Sequence, residues 1–227
     1  MRTAWRPRTR EADVFYETGA GDGHRTAGLA HNPLNALVVP RPIGWISSID
    51  SHGVANLAPY SYFNLVSSVP PMVMFAANGP HAEGGAKDSV QNIRDTGEFV
   101  VNFVTADLME AMNLTSAPAP RAIDEFALAG LDKAPSRLVR PPRVAASPIH
   151  LECRLHSIIE LPGDPTTGNP NQVVFGTIVA VHISDELVED GRVGSVKARP
   201  LGRMGYFDFT EVVNRTELLR PRWPLKP

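Results

Sequence analysis

Pro40-Arg41-Pro42-Ile43-Gly44-Trp45-Ile46-Ser47-Ser48 is the stretch on which the fold turns. It reads as an extended, apolar segment carrying two small hydroxyls. Asp50-Ser51-His52-Gly53 follows as a turn signal, and Val54-Ala55-Asn56-Leu57 as a second strand. Ala58-Pro59-Tyr60-Ser61 then offers a stiff Ala-Pro turn, because proline fixes its own φ. Lys87-Asp88-Ser89 stands at the start of a helix expected over Ser89 to Thr96. Asp88 as N-cap with Gln91 three residues on makes a capping-box pattern, and Gly97 a stop. In this order the pieces describe a cradle for a flat, phosphorylated ligand.

Strands are expected on both sides of that cradle. Ala36-Leu37-Val38-Val39 and Phe99-Val100-Val101-Asn102-Phe103-Val104 carry strand composition. Met72-Val73-Met74-Phe75-Ala76 is a short apolar run that suits a strand buried on both faces. A second helix after Thr105 would turn Leu108, Met109 and Met112 inward, as core. Residues 116–148 are rich in Pro and Ala and read as a long irregular excursion with a helical turn at Asp124–Ala129. A linker between two domains is the rival reading, but both flanks share one β-rich character. Strands resume at Ile149–Ile159 and Val173–Ser184 around a Gly- and Pro-bearing loop. Strands, a helix, then strands without βαβ alternation favour an antiparallel barrel with peripheral helices.

Bulk composition narrows the function. The chain has 227 residues, 43% of them apolar and 20% charged, with net charge −2. That gives no concentrated basic face for nucleic acid. Basic clusters at Arg2, Arg6, Arg8 and Arg10 and at Arg215, Arg220 and Arg222 read as solvated tails. No apolar run approaches a membrane span of about 20 residues, and the N-terminus lacks a signal-peptide core. The single cysteine, Cys153, forms no disulfide within the chain and reads as an inert strand thiol. A soluble, cytoplasmic protein is expected. The seven histidines show no ligand spacing, so no metal site is expected. Gly19-Ala20-Gly21-Asp22-Gly23 follows no strand and opens no helix, so it fails as a phosphate loop.

Three clusters could carry chemistry. A helix N-terminus with Lys87 and Ser89 combines dipole, charge and hydroxyl at a phosphate. A rigid backbone at Asn56–Ser61 can present N–H and C=O groups to the edge of a heteroaromatic ring. The late Arg203-Met204-Gly205-Tyr206-Phe207 offers a guanidinium fork and aromatic walls. His182 lies on the Val179–Ile183 strand, where it could touch a bound ligand; a structural or surface role is the commoner fate of such a residue.

The chain resembles the flavin reductase-like family of FMN-binding split-barrel proteins. The likeness rests on PRPIGWISSID, NLAPYSYFN, PPMVMF, KDSVQNIRDTGEFVVN, VVFGTIVAVHI and RPLGRMGYFDF, in the family's order. It implies a mostly β, six-stranded antiparallel split barrel of Greek-key type, usually a homodimer. Residues 34–210 would form the domain, 1–33 a flexible arm and 211–227 a tail. The resemblance assigns Ser47 and Ser48 to hydroxyls near the flavin, and Asn56, Ala58, Pro59, Tyr60 and Ser61 to the isoalloxazine. Lys87, Asp88 and Ser89 match the phosphate corner; Arg203 and Tyr206 match the late motif. It implies hydride transfer from NADH or NADPH to bound flavin, with electrons passing on to oxygen, an acceptor or a partner monooxygenase. Two rivals stand beside this: an FMN-bearing electron-carrier module reduced by a protein donor, and a split-barrel relative holding haem or pyridoxal phosphate.

Overall fold

The computed structural model describes residues 13–20 and 22–223. The first basic cluster, residues 2–10, lies outside them, as does part of the arm expected over 1–33. Seven strands form one antiparallel sheet. In chain order they are β1 (Gly44–Ile49), β2 (Ala55–Tyr60), β3 (Phe63–Ser68), β4 (Pro71–Asn78), β5 (Glu98–Asn102), β6 (Ile149–Leu161) and β7 (Asn171–Ile183). Their spatial order is β2-β1-β5-β6-β7-β4-β3. The edge strands β2 and β3 are consecutive in the chain, separated only by Ser61 and Tyr62. Two residues span only about 10 Å, so the sheet must curl until its edges approach. No ladder joins those edges, and the barrel stays split along this seam.

The seventh strand is β3, absent from the six expected. It is half exposed with no clean alternation, so no period-2 signal marks it. Strand β2 runs on through Ala58 and Pro59, where a turn was expected; Pro59 pairs with Trp45 of β1. An edge strand tolerates a proline because one row of its N–H groups has no ladder partner. Residues Leu34–Leu37 form a helical turn rather than the expected strand, with Leu37 and Val38 exposed. Strand β4 alternates, burying Val73, Phe75 and Ala77 on one face only. A three-stranded flap pairs Arg41–Pro42 with β8 (Leu201–Arg203), and β8 with β9 (Phe209–Glu211).

Two clusters make the core, and β1 belongs to both. Trp45 and Ile49 face outward into a layer with Leu57, Met112, Phe126 and Val144. Ile46 faces inward, with Phe75, Phe99, Cys153 and Val174. Helix α1 (Asp88–Thr96) adds Val90 and Ile93 to that interior and ends on Gly97, whose φ of 74° is the left-handed conformation such a stop requires. Its N-cap is Lys87 rather than Asp88, and no side chain caps it. Gly176 of β7 leaves room for the Phe99 ring: a Cβ there would lie 2.3 Å from a ring carbon.

The Pro-rich excursion covers the outer face of β1. Helix α2 (Met109–Leu114) buries Met112 but leaves Met109 exposed, contrary to expectation. Thr115, just beyond it, accepts the Trp45 indole N–H at 2.9 Å. Helix α3 (Glu125–Leu128) buries Phe126. Asn102 accepts the Val144 N–H at 2.8 Å and donates to the Trp45 carbonyl at 2.9 Å. Glu152, wholly buried, accepts the N–H groups of Arg137 and Leu138. Such paired buried groups fix a segment that has little regular structure.

Candidate functional site

Strand β2, the start of α1 and the excursion meet around one cleft. Asn56, Ala58, Pro59 and Tyr60 form one wall, and Lys87, Asp88 and Ser89 another. His81, Ser116 and Glu125 are among the residues that complete it. Seven of the twelve expected ligand-contacting residues are thereby brought together.

Beneath this cleft runs a buried polar spine. The Ser89 hydroxyl donates to Asn56 Oδ1 at 2.8 Å. Asn56 Nδ2 donates to Glu125 Oε2 at 3.1 Å, and the Leu57 N–H donates to the same oxygen at 3.0 Å. Asn92 Nδ2 donates to the Ser48 hydroxyl at 3.1 Å. The Asn56 amide is thus fixed with its oxygen toward hydroxyls and its nitrogen toward a carboxylate. Burial raises the Glu125 pKa above the ordinary carboxylate value; the Leu57 N–H works the other way. Burial also pushes the Tyr60 phenol up to about 12, so it stands as a neutral hydroxyl.

The phosphate-type corner has more in it than the sequence suggested. Lys87 is half-buried and makes no ion pair among the described residues. The first-turn N–H groups of α1 have no intrahelical partner. Asp88 is the first helical residue and is engaged by Arg121, which also donates to the carbonyls of Gly84 at 2.6 Å and Ala86 at 3.0 Å. His81 Nε2 stands 3.3 Å from the other Asp88 oxygen. Arg121 and Glu125 come from the excursion and were missed. Their one signal was the Asp124–Ala129 helical turn, which says nothing of what it faces.

The other expected residues lie elsewhere. Ser47 is buried and donates to the Pro142 carbonyl at 2.6 Å. Ser48 is buried one layer behind Asn56. Neither lines the cleft, because β1 is covered on both faces. Ser61 and Arg203 line a second, adjoining cleft. The Tyr206 side chain is half exposed, edge-on to His31 at 5.8 Å, and only its carbonyl meets Arg203. His182 Nε2 lies 2.6 Å from Glu152 Oε1, serving the anchor that holds residues 137–138, and lines neither cleft. Cys153 is buried in the barrel, where desolvation pushes its thiol pKa far up, away from nucleophilic use. Among the described residues, no helix is long and apolar enough to cross a membrane.

Residues 36–201 match the model of the flavin reductase like domain. The chain belongs to the flavin reductase-like family. Flavin binding and oxidoreductase chemistry characterise that family. The structure of nitrilotriacetate monooxygenase component B from Bacillus cereus superimposes with a TM-score of 0.82 at 28% identity, covering 92% of this chain and all (100%) of that one. The 2-nitrobenzoate 2-nitroreductase of Pseudomonas fluorescens gives 0.76 at 30% identity, covering 96% and 99%. An uncharacterized protein of Aquifex aeolicus is 36% identical over 170 residues, 74% of this chain and 83% of that protein.

Proposed function

We infer that the protein is an FMN-binding flavin reductase that takes hydride from NADH or NADPH. The observation that supports this most is the junction in one cleft of a rigid edge-strand wall with Lys87, which stands at a helix N-terminus and has no ion pair among the described residues. The donor set suits a phosphorylated ring: Lys87 and the first-turn N–H groups of α1 offer positive charge and donors, while Arg121, outside the cleft's lining, offsets the charge of Asp88. Bound FMN supplies a ring that accepts hydride at N5 and passes electrons onward.

The chain's own part is positioning. Lys87 and the start of α1 hold the phosphate. The Asn56–Tyr60 segment presents its groups to the ring, held in place by Ser89 and Glu125. The excursion residues Ser116 and Ala117 close the cleft's far side and limit water. No side chain is assigned as general acid or base, so rate enhancement rests on proximity and orientation. Electrons then pass to oxygen, an acceptor or a partner monooxygenase; the likeness to a monooxygenase component B supports the last. A cytoplasmic homodimer completes the proposal, with residues 34–210 as its flavin domain.

The test is a visible spectrum of the FMN-loaded protein before and after anaerobic NADH or NADPH. Rapid loss of the flavin band with either nucleotide is expected. A band that persists with both overturns the nicotinamide step and favours an electron carrier reduced by a protein donor. Failure to take up FMN overturns the cofactor assignment.

A further inference from the structure

Ser61, Asn113, Ser116 and Arg203 meet in the second cleft, which shares Pro59 and Ser116 with the first. Ile43, Met112 and Phe209 give it apolar walls. Its volume of about 170 Å³ lies below the roughly 300–1,000 Å³ usual for small-molecule sites, so it has room for a small ligand only.

Its electrostatics are lopsided. Arg203 and Arg41 are Cα partners on paired antiparallel strands. Arg41 is 8% exposed; among the described residues it donates only to the carbonyls of Asn35, Val38 and Met204, and its Nε has no partner. Arg203 gives one N–H to the Tyr206 carbonyl and lies 4.5 Å from the Phe209 ring centroid. Among the described residues neither has a carboxylate within 4.0 Å, whereas Arg94, Arg121, Arg140 and Arg199 all do. Asp208 reaches Arg203 only as a weaker, more distant charge.

Like charges at facing strand positions repel, and a buried cation without a counter-charge is unfavourable. An anion on Arg203 offsets that repulsion; Arg41 itself stands outside this cleft's lining and keeps its carbonyl partners. Arginine's planar fork fits a carboxylate with two parallel hydrogen bonds. Ser61 and Asn113 add polar groups that can fix orientation, and the Phe209, Met112 and Ile43 wall suits a hydrocarbon body.

We propose that this cleft is a binding subsite for a small organic carboxylate, its carboxylate on Arg203 and its apolar part against Ile43, Met112 and Phe209. That such a molecule sits beside the flavin rests on the reading of the first cleft given above; the binding itself does not.

The probes are benzoate, its neutral counterpart benzamide, and inorganic phosphate, titrated calorimetrically into the protein with and without FMN. FMN affinity is measured separately by flavin fluorescence. Benzoate is expected to bind at least about tenfold tighter than benzamide, and Arg203→Gln to remove about tenfold of that affinity while FMN affinity stays within about twofold. Equal binding of benzoate and benzamide, or of neither, overturns the proposal. Loss of FMN affinity in Arg203→Gln with benzoate unchanged overturns it too, and makes Arg203 a flavin ligand. Phosphate displacing benzoate at lower concentration overturns the carboxylate assignment in favour of a phosphate-bearing ligand. Should Arg203→Gln melt early, Arg203→Lys keeps the charge but not the fork, and is expected to weaken benzoate binding by about threefold or more. Benzoate discrimination in a wild-type protein that takes up no FMN would sink the flavin reading and leave this one standing.

Discussion

Asn56 and Glu125, 69 positions apart, are joined by an Asn56 Nδ2 to Glu125 Oε2 hydrogen bond of 3.1 Å. The same carboxylate oxygen takes the Leu57 N–H, so one side chain of the excursion fixes both the amide and the backbone of the cleft's wall. Glu125→Ala leaves two buried donors unpaired, which costs about 1–3 kcal/mol each at most. FMN affinity should fall by about tenfold and the melting temperature should drop. Fluorescence titration and a thermal melt check this; an unchanged affinity would detach Asn56 from the flavin wall.

Glu125 also predicts a pH dependence. Its pKa is raised in the folded state, so over the window from 4.5 upward the unfolded chain binds fewer protons than the native one. Stability present below that window is lost as pH rises through the folded value. Glu125→Gln keeps an acceptor oxygen and cannot ionise. Its melting temperature relative to wild type should therefore climb between pH 4 and pH 8. A difference that stays flat would show that Glu125 ionises as readily folded as unfolded.

Lys87 tests the phosphate corner. Lys87→Gln removes the half-buried ammonium at the N-cap of α1 but no core contact. A charge-assisted hydrogen bond contributes about 1.5–3 kcal/mol, so FMN affinity should fall by at least about tenfold, while riboflavin, which lacks the phosphate, should bind as before. Equal losses for both flavins would place Lys87 against the ring, and no loss for either would place it outside the site. Arg121→Gln should show a smaller FMN-selective loss, since it leaves the Asp88 carboxylate without its arginine partner beside the phosphate corner.

The sequence made these wall residues legible in uneven measure. Strand β1, the β6–β7 hairpin and helix α1 announce themselves by apolar runs and a terminal glycine, and the excursion by its prolines. Ser47 and Ser48 were harder to read because a hydroxyl in an apolar strand signals a partner without saying which. Here the partners are the Pro142 carbonyl and the Asn56–Asn92 spine. Arg121 and Glu125 could not be read locally, since their roles come from contacts with residues 33 and 69 positions away. His182 looked available on its strand and is held by a buried carboxylate from the neighbouring one.

Gly176 carries the barrel's packing. A Cβ at this position would stand 2.3 Å from one Phe99 ring carbon and 2.5 Å from another. The ring is wholly buried and also meets Phe75 edge-on at 5.8 Å, so it cannot swing aside without disturbing the interior. Gly176→Ala should cost about 1–3 kcal/mol and lower the melting temperature by roughly 2–4 °C per kcal/mol for a domain of this size. A melt within 1 °C of wild type would mean that Phe99 has room the structure does not give it.

His150 sets the acid limit. It is buried, and its Nε2 donates to the Val144 carbonyl at 2.9 Å. Desolvation leads in lowering its pKa from 6.5 to about 4, and the charges of Arg143 and His182 add to it; the Val144 carbonyl and Glu152 oppose. The unfolded chain therefore takes up a proton between pH 6.5 and pH 4 that the native chain refuses. Stability is whole above pH 6.5 and declines as pH falls toward 4, the sense opposite to that of Glu125. Glu152 works in a lower window: burial would raise its pKa, but the Arg137 N–H, His182 and the Leu138 N–H together hold it below 4.5. Its contribution is lost only as pH falls below that value. His150→Gln should flatten the melting profile between pH 6.5 and pH 4 relative to wild type. Parallel profiles would show that His150 takes up its proton without leaving its buried place.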